Sequence, residues 1–237
     1  MARGSKAWCK NTLIVATASQ LRWILYKSRP CGRLFFCAII NEMFEEIVSR
    51  LSEVKIVPVV TVFDKDEAVK LAHSLVNRGY SAVEFAFRSS AGDEGDFIRA
   101  GECIKAVRHL CPRMLCGAGT VINPKLAQLA KDSGAQFVMA PGFNPATVDW
   151  CIKNELPIFP GVNNPSQVEE ALMSGLDVLK FFPAEVSGGI KMLKALAGPF
   201  PTVRFIPTGG IDAANAEDYL ACKNVIAVGG SWITSVK

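Results

Sequence analysis

Apolar segments with the length of buried strands alternate with helical patterns along most of the chain. The apolar segments begin near residues 56, 82, 114, 136, 157, 177, 203 and 225, and the helical patterns between them include Asp66–Asn77, Pro124–Lys131 and Pro165–Met173. A strand that is followed each time by a helix is typical of βα units, whose strands lie parallel in a sheet. The pattern therefore predicts an α/β fold with eight parallel strands.

Eight βα units favour a closed (β/α)8 TIM barrel, because closure leaves no strand edge unprotected. An open doubly wound sheet is the alternative, but no G-x-G-x-x-G motif follows the first strand-like segment. We expect residues 43–237 to form this barrel as a single domain. Only six residues follow Ser231, too few for an eighth outer helix. We therefore expect the last outer helix to be missing and the chain to be truncated.

A first helix is predicted from Met43 onward. The apolar residues that follow recur at the i, i+3, i+4 and i+7 positions of one helical face, and they are Phe44, Ile47, Val48 and Leu51. This helix precedes the first strand, which places it at the bottom of the barrel. It therefore does not replace the missing outer helix.

The first 42 residues differ from the rest of the chain in charge. Residues 1–41 carry seven basic side chains and no acidic one, which leaves 19 basic against 22 acidic residues from Glu42 onward. This leader has the basic composition of a transit peptide, whereas its apolar core is short for a secretory signal. The third interpretation, which we favour, is that translation starts at Met43 and that the leader is upstream sequence. We expect residues 1–42 to lie outside the fold.

The negative net charge of the predicted domain argues against nucleic acid as a partner. The longest apolar run near the start of the chain, Leu34 to Ile40, has seven residues, whereas a membrane-spanning helix needs ~20. We therefore expect neither a nucleic-acid nor a membrane partner.

Cysteine and histidine give no pattern that indicates a metal site. The eight cysteines form no C-x-x-C pair, and the two histidines, His73 and His109, fall in helical patterns away from the strand ends. We expect no metal and place both histidines at the protein surface. Scattered cysteines in apolar stretches are typical of reduced, cytoplasmic proteins, so we expect a cytoplasmic location.

The second predicted strand carries charge on the face that should point into the barrel. Because side chains alternate along a strand, Val83, Phe85 and Phe87 face the helices, while Glu84 and Arg88 face inward. Charges in a barrel interior are costly unless they are paired or used. The two residues therefore form either a structural ion pair or part of a ligand site.

The sixth predicted strand directs a lysine inward. In VLKFFP, Leu179 and Phe181 face the helices and Lys180 faces the interior. Lys180 could be a structural partner of Glu84, because buried lysines are almost always paired. The functional alternative is an amine nucleophile: burial near another cation favours the neutral amine, which attacks ketones. Glu84 would then carry protons for Schiff-base chemistry.

Small and hydroxyl residues end several of the predicted strands. Glycines there allow backbone N–H groups to approach an anion, and the loops after strands seven and eight commonly bind phosphate in barrels. Gly117 and Gly119 open space before Thr120, and the Pro141-Gly142 turn offers a wall for a substrate or is a plain turn. The candidate anion-binding residues are Thr208, Gly209, Gly210, Gly230 and Ser231.

Six motifs from about Met43 onward resemble the class I aldolases that cleave 2-keto-3-deoxy-6-phosphogluconate (KDPG) and 4-hydroxy-2-oxoglutarate (KHG). LKFFPAE, with its Schiff-base lysine, is the most specific of them. The motifs occur in the family's order, and they are VEFAFR (83–88), CGAGTVINP (116–124), Pro141-Gly142, LKFFPAE (179–185) followed by SGG, RFIPTGGI (204–211) and VGGSW (228–232).

The resemblance implies a role for each candidate residue. Lys180 would form the imine, and Glu84 would be the general acid and base. The substrate-binding residues implied by the family are Arg88 and Thr120 for the pyruvyl carboxylate, Pro141 and Phe182 for the pocket wall, and Thr208, Gly209, Gly210 and Ser231 for the distal phosphate or carboxylate. The family also implies a TIM barrel, a homotrimer, a small 2-keto acid substrate and no cofactor.

The chain departs from the family pattern near the expected pocket. The family usually has threonine at the position of Ala86, and often Ile-Ser-Thr where this chain has residues 162–164 as VNN. These differences bear on the choice between KDPG, which yields pyruvate and glyceraldehyde 3-phosphate, and KHG, which yields pyruvate and glyoxylate. A phosphosugar isomerase barrel and a non-catalytic subunit or binding module are the alternative functions.

Overall fold

Strands and helices alternate along residues 33–89 and 93–234, which are the residues that the computed structural model of the chain describes. The strands are β1 (Ile56–Val60), β2 (Ala82–Ala86), β3 (Leu115–Gly119), β4 (Phe137–Met139), β5 (Ile158–Phe159), β6 (Gly161–Val162), β7 (Val178–Phe181), β8 (Arg204–Pro207) and β9 (Val228–Gly230). The helices are α1 (Arg33–Val54), α2 (Lys65–Asn77), α3 (Glu94–Leu110), α4 (Pro124–Asp132), α5 (Pro145–Lys153), α6 (Pro165–Met173), α7 (Gly189–Ala197) and α8 (Ala216–Leu220), with a short 3₁₀ helix at Glu185–Ser187. The fold described here belongs to the unit that begins at Ala38.

The described strands pair in parallel, as the βα pattern predicts. Six of them form one sheet in the order β5-β4-β3-β2-β1-β9, and three form another in the order β6-β7-β8. Two parallel bridges, Phe205 with Val225 and Thr208 with Gly229, join β8 to the segment that contains β9. The prediction of an α/β fold with a parallel, curled sheet is confirmed.

Pro160 divides the fifth predicted strand into β5 and β6. Proline has no backbone N–H and cannot donate to the strand ladder. Its carbonyl still accepts a hydrogen bond of 3.0 Å from the backbone N–H of Lys180. As a result, the sixth, seventh and eighth strands predicted from the sequence are β7, β8 and β9.

Three consecutive helices begin with the same capping motif, an asparagine followed by a proline. Asn123, Asn144 and Asn164 precede α4, α5 and α6, and a proline follows each of them. The asparagine side chain accepts from a backbone N–H of the first turn, and proline suits the first helical position because its missing donor is not needed there. The Asn-Pro pairs therefore define where these helices start after their strands.

The core has two layers, one between strands and helices and one inside the curled sheet. Val83, Phe85, Leu179 and Phe181 pack in the layer shared with the helices. Val178 belongs to the inner layer, together with residues from the amino ends of other strands. The alternation predicted for the second and sixth strands is therefore confirmed for these apolar residues.

Helix α1 closes the inner layer at the amino ends of the strands. Ile47, Val48 and Leu51 pack into this layer, and the ring centroid of Phe44 lies 5.4 Å from that of Phe159. The placement below the sheet agrees with the prediction. The helix begins at Arg33 rather than at Met43, because no proline or glycine interrupts residues 33–54. The rest of the predicted leader lies outside the described residues.

No helix in the described part of the chain is both long enough and apolar enough to cross a membrane.

Replacing Leu51 by alanine should destabilise the protein by about 2–5 kcal/mol, because the substitution leaves a cavity in a closely packed layer. Leu51 is fully buried, with 0% of its surface exposed. Urea unfolding measures the change in the free energy of unfolding. Leu110→Ala is the matched control, since Leu110 is 55% exposed. Equal stability of the two variants would contradict this role of α1.

Candidate active site

Glu84 and Lys180 meet inside the curled sheet, from strands that lie far apart in the sequence. The Lys180 Nζ lies 3.2 Å from Oε1 and 3.4 Å from Oε2 of Glu84. Glu84 is 1% exposed and Lys180 is 3% exposed, and they are the two charged residues among the buried residues that the structure describes. Two charges are costly to remove from water, and each here is compensated by the other.

Glycines lie next to this pair, and one of them provides the space that the Glu84 carboxylate occupies. In the strand register, Gly117 is the partner of Glu84 and Gly161 is the partner of Lys180. A Cβ at Gly119 would lie 2.0 Å from Oε1 of Glu84, and a Cβ at Gly161 would lie 2.2 Å from the Pro141 carbonyl oxygen. The prediction that the GAG segment opens space is consistent with this geometry, whereas the need for glycine at position 161 was missed. Only the fold brings Gly161 against the loop that follows β4.

The inward direction expected for Arg88 is wrong, and of the two alternatives for Glu84 and Arg88 the structural ion pair is not observed between these described residues, since Glu84 pairs with Lys180. The strand β2 ends at Ala86, and the backbone N–H of Arg88 turns back to donate to the Ala86 carbonyl at 2.8 Å. The alternation of a strand therefore no longer applies at Arg88. Its side chain is exposed at the carboxyl end of β2.

Arg88 and Thr120 are nevertheless brought together. The Nε of Arg88 donates to Oγ1 of Thr120 at 3.3 Å. Thr120 follows β3 directly and has a positive φ of 61°, a conformation that is uncommon for a β-branched residue. A guanidinium and a hydroxyl held side by side at the carboxyl ends of two strands can bind a carboxylate.

Two further predicted residues lie at strand ends near the lysine. The ring centroid of Phe182 is 5.6 Å from Nζ of Lys180. Pro141 follows β4, and its carbonyl packs on Gly161, the register partner of Lys180. The structure thus places both residues close to Lys180 or its strand partner, near the carboxyl ends of the strands.

The segment after β8 carries polar groups that have no partner among the described residues. Gly209 and Gly210 have positive φ values of 101° and 79°, and neither backbone N–H donates to an acceptor among the described residues. The hydroxyl of Thr208 is buried and likewise has no partner in that part of the chain. Adjacent backbone N–H groups in a turn can bind an anion together, and we call residues 208–210 the nest.

The end of β9 lies beside this nest. Thr208 forms a bridge with Gly229, and a Cβ at Gly229 would lie 2.6 Å from the Thr208 hydroxyl oxygen. Gly230 is buried against the Trp232 ring, and Ser231 is exposed at the same end. The five residues predicted to bind an anion therefore come from two neighbouring strand ends.

Buried thiols do not supply a nucleophile to this site. Burial raises the pKa of Cys103 to about 11 and that of Cys116 and Cys151 to about 12. His73 and His109 are exposed on helices, as predicted. Among the described residues, no group of histidine, cysteine, aspartate and glutamate side chains could hold a metal ion.

An amine and a carboxylate in contact inside a parallel α/β fold are the groups that a lysine-dependent enzyme acting on carbonyl compounds would use. Comparisons with known proteins agree with this class. The family model of KDPG and KHG aldolases matches residues 47–237.

Individual relatives cover most of the chain. It is 45% identical to the 2-dehydro-3-deoxy-phosphogluconate aldolase of Haemophilus influenzae over 193 residues, which are 81% of this chain and 87% of the relative. It is 44% identical to that of Treponema pallidum over 187 residues, 79% of this chain and 85% of the relative. The chain belongs to the KDPG and KHG aldolase family, whose members are lyases.

A solved structure links the family to Schiff-base chemistry. The KDPG aldolase of Legionella pneumophila has been captured with pyruvate as a covalent carbinolamine intermediate. It is 36% identical to this chain, with a TM-score of 0.73, and the match covers 79% of this chain and 87% of that one. A carbinolamine is the adduct that precedes an imine, so this relative forms its adduct through an amine.

Replacing Gly119 by alanine should displace the carboxylate of Glu84, because the new Cβ and Oε1 would be only 2.0 Å apart. A shift of about 1 Å in a catalytic group can cost about 100-fold in rate, and we expect a loss in kcat of that order. Gly142→Ala is the control, since a Cβ there meets nothing within 4 Å. Aldol cleavage coupled to pyruvate detection measures both variants. Similar kcat values for the two would disprove the steric argument.

Cys116 and Cys151 should resist alkylation in the folded protein at pH 8. The thiolate is the reactive form, and a pKa of about 12 leaves both thiols protonated at this pH. In the unfolded chain, the pKa of cysteine returns to about 8.5 and both should react. Iodoacetamide treatment followed by peptide mass mapping compares the native protein with the protein in guanidinium. Rapid labelling of either residue in the native protein would contradict the prediction.

Proposed function

We propose that this chain cleaves KDPG to pyruvate and glyceraldehyde 3-phosphate, KHG to pyruvate and glyoxylate, or both, through an imine on Lys180. The observation that carries the proposal is the buried amine of Lys180, 3.2 Å from a carboxylate oxygen of Glu84. The family of the chain and the carbinolamine of the Legionella pneumophila relative support it.

The first half of the reaction builds the imine. A proton passes from Lys180 to Glu84, and the neutral amine then attacks the C2 ketone carbon of the substrate. A proton of the attacking nitrogen moves to the ketone oxygen, and a carbinolamine forms. Glu84 donates a proton to the departing hydroxyl group, water leaves, and a protonated imine remains. The distance between Nζ and the carboxylate is within the range over which a general acid or base transfers a proton directly or through one water.

The second half breaks the carbon–carbon bond. Glu84, directly or through a water molecule, removes the proton of the C4 hydroxyl. The C3–C4 electron pair then moves into the protonated imine, and the aldehyde leaves. Protonation of the resulting enamine at C3 and hydrolysis of the imine release pyruvate and restore Lys180. Because the imine itself accepts the electrons, we propose no cofactor.

The remaining residues at the strand ends are proposed to bind the two ends of the substrate. Arg88 and Thr120 would hold the pyruvyl carboxylate, and their mutual hydrogen bond of 3.3 Å supports a shared role. Pro141 and Phe182 would form the wall of the pocket. The distal phosphate or carboxylate would be bound by Thr208, Gly209, Gly210, Gly230 and Ser231, a role that the unpartnered hydroxyl of Thr208 and the two N–H groups of the nest support.

We further propose that the two sheets form one closed (β/α)8 barrel in a single domain. Pro160 alone separates β5 from β6, and the two bridges next to Phe205 and Thr208 join β8 to the β9 segment. A homotrimer and a cytoplasmic location complete the proposal. The five described cysteines, which are free and buried, support a reducing compartment.

Pyruvate and borohydride together should modify Lys180, because hydride reduces the imine to a stable secondary amine. Mass spectrometry of the digested protein would locate the added mass on this residue. Lys180→Ala should lose modification and cleavage, whereas Lys191→Ala, on an exposed lysine of α7, should retain both. If Lys180 were only the structural partner of Glu84, borohydride would leave it unmodified. Full cleavage activity in Lys180→Ala would refute the proposed function.

A further inference from the structure

The residues that follow the lysine strand are tied to the nest after β8. The backbone N–H of Ala184 donates to the Thr208 carbonyl at 2.9 Å, and that of Glu185 donates to the Gly209 carbonyl at 3.1 Å. The next carbonyl, that of Gly210, accepts from the side-chain amide of Asn215 at 3.1 Å. Three successive carbonyl oxygens are thus occupied by hydrogen bonds, whereas the N–H groups of Gly209 and Gly210 have no acceptor among the described residues.

The Glu185 side chain lies against the nest itself. A Cβ at Gly210 would lie 2.6 Å from Cγ and 2.7 Å from Cβ of Glu185. A carboxylate so close to an anion-binding loop would repel a phosphate if it turned toward the N–H groups. Its direction therefore matters for any anion that the loop binds.

Tyr219 holds this carboxylate in place. The hydroxyl of Tyr219, on α8, donates to Oε1 of Glu185. Tyr219 is fully buried, with 0% exposure, so that its position is set by the core. Burial, and next the hydrogen bond to Glu185, raise the pKa of the Tyr219 phenol, which therefore remains a donor throughout the neutral range.

We propose that Tyr219 and Glu185 are a positioning pair for the distal anion of the substrate. The hydroxyl of Tyr219 turns the Glu185 carboxylate away from the nest, and the Glu185 stem supports Gly210 from behind. The pair would favour substrates that end in a phosphate or carboxylate, and it would leave the reaction of Lys180 with pyruvate unchanged. This inference rests on the proposed function, since it assigns the nest to the aldolase substrate.

The test compares Tyr219→Phe with the wild type in two assays. The first assay measures the KM for KDPG, which we expect to rise about tenfold while kcat changes little. A tenfold change is what the loss of one hydrogen bond to a charged group should cause. The second is the pyruvate concentration that half-saturates borohydride inactivation, which should stay the same because pyruvate has no distal anion. Tyr80→Phe, on a tyrosine packed under the exposed Arg78, is the matched control and should equal the wild type in both assays.

Two substitutions at Glu185 distinguish the loss of the hydrogen bond from a general disturbance of the loop. Glu185→Gln keeps an oxygen that can accept from Tyr219, so its KM for KDPG should stay near the wild-type value, whereas Glu185→Ala should behave like Tyr219→Phe. A proportional loss in both assays for Tyr219→Phe, or an unchanged KM for KDPG, would overturn the inference. Failure of borohydride to inactivate the wild type would instead refute the proposed function, so the two failures are distinguishable.

Discussion

The buried contact between Glu84 and Lys180 is the constraint on which the rest of the site depends. Neither charge is tolerable in the interior alone, and removing one partner of such a pair typically destabilises a protein by about 3–5 kcal/mol. Position 119 on the neighbouring strand β3 requires glycine, because the Glu84 carboxylate occupies the volume that a side chain there would need. Chemistry and packing at this point are therefore specified by the same few residues.

Two further groups of candidate binding residues lie at the strand ends around this pair. Arg88 and Thr120 meet at the carboxyl ends of β2 and β3, and the nest of Thr208–Gly210 lies after β8. The segment that leaves β7 connects the lysine to the nest through backbone hydrogen bonds. The residues proposed for imine formation and for recognition of the distal group are therefore connected by one continuous piece of structure.

Periodicity was enough to predict the strands, the outward apolar faces and the inward direction of Glu84 and Lys180, because alternation is a local property. The inward direction predicted for the Arg88 side chain is wrong, because β2 ends two residues earlier in a turn. The apolar alternation continues through that turn in the sequence and therefore does not reveal it. The contact of Tyr219 with Glu185 joins segments 34 positions apart. The two residues meet only because of the path of the chain through α7 and α8, so no local sequence pattern predicts their contact.

Helix α1 has a consequence for the order in which products depart. Its apolar face packs in the layer at the amino ends of the strands, and the proposed substrate-binding residues lie at the opposite ends. The fragment from the distal half of the substrate would lie between solvent and the ketoacid still bonded to Lys180. In the proposed reaction the aldehyde would therefore depart before pyruvate and, in the synthetic direction, enter after it.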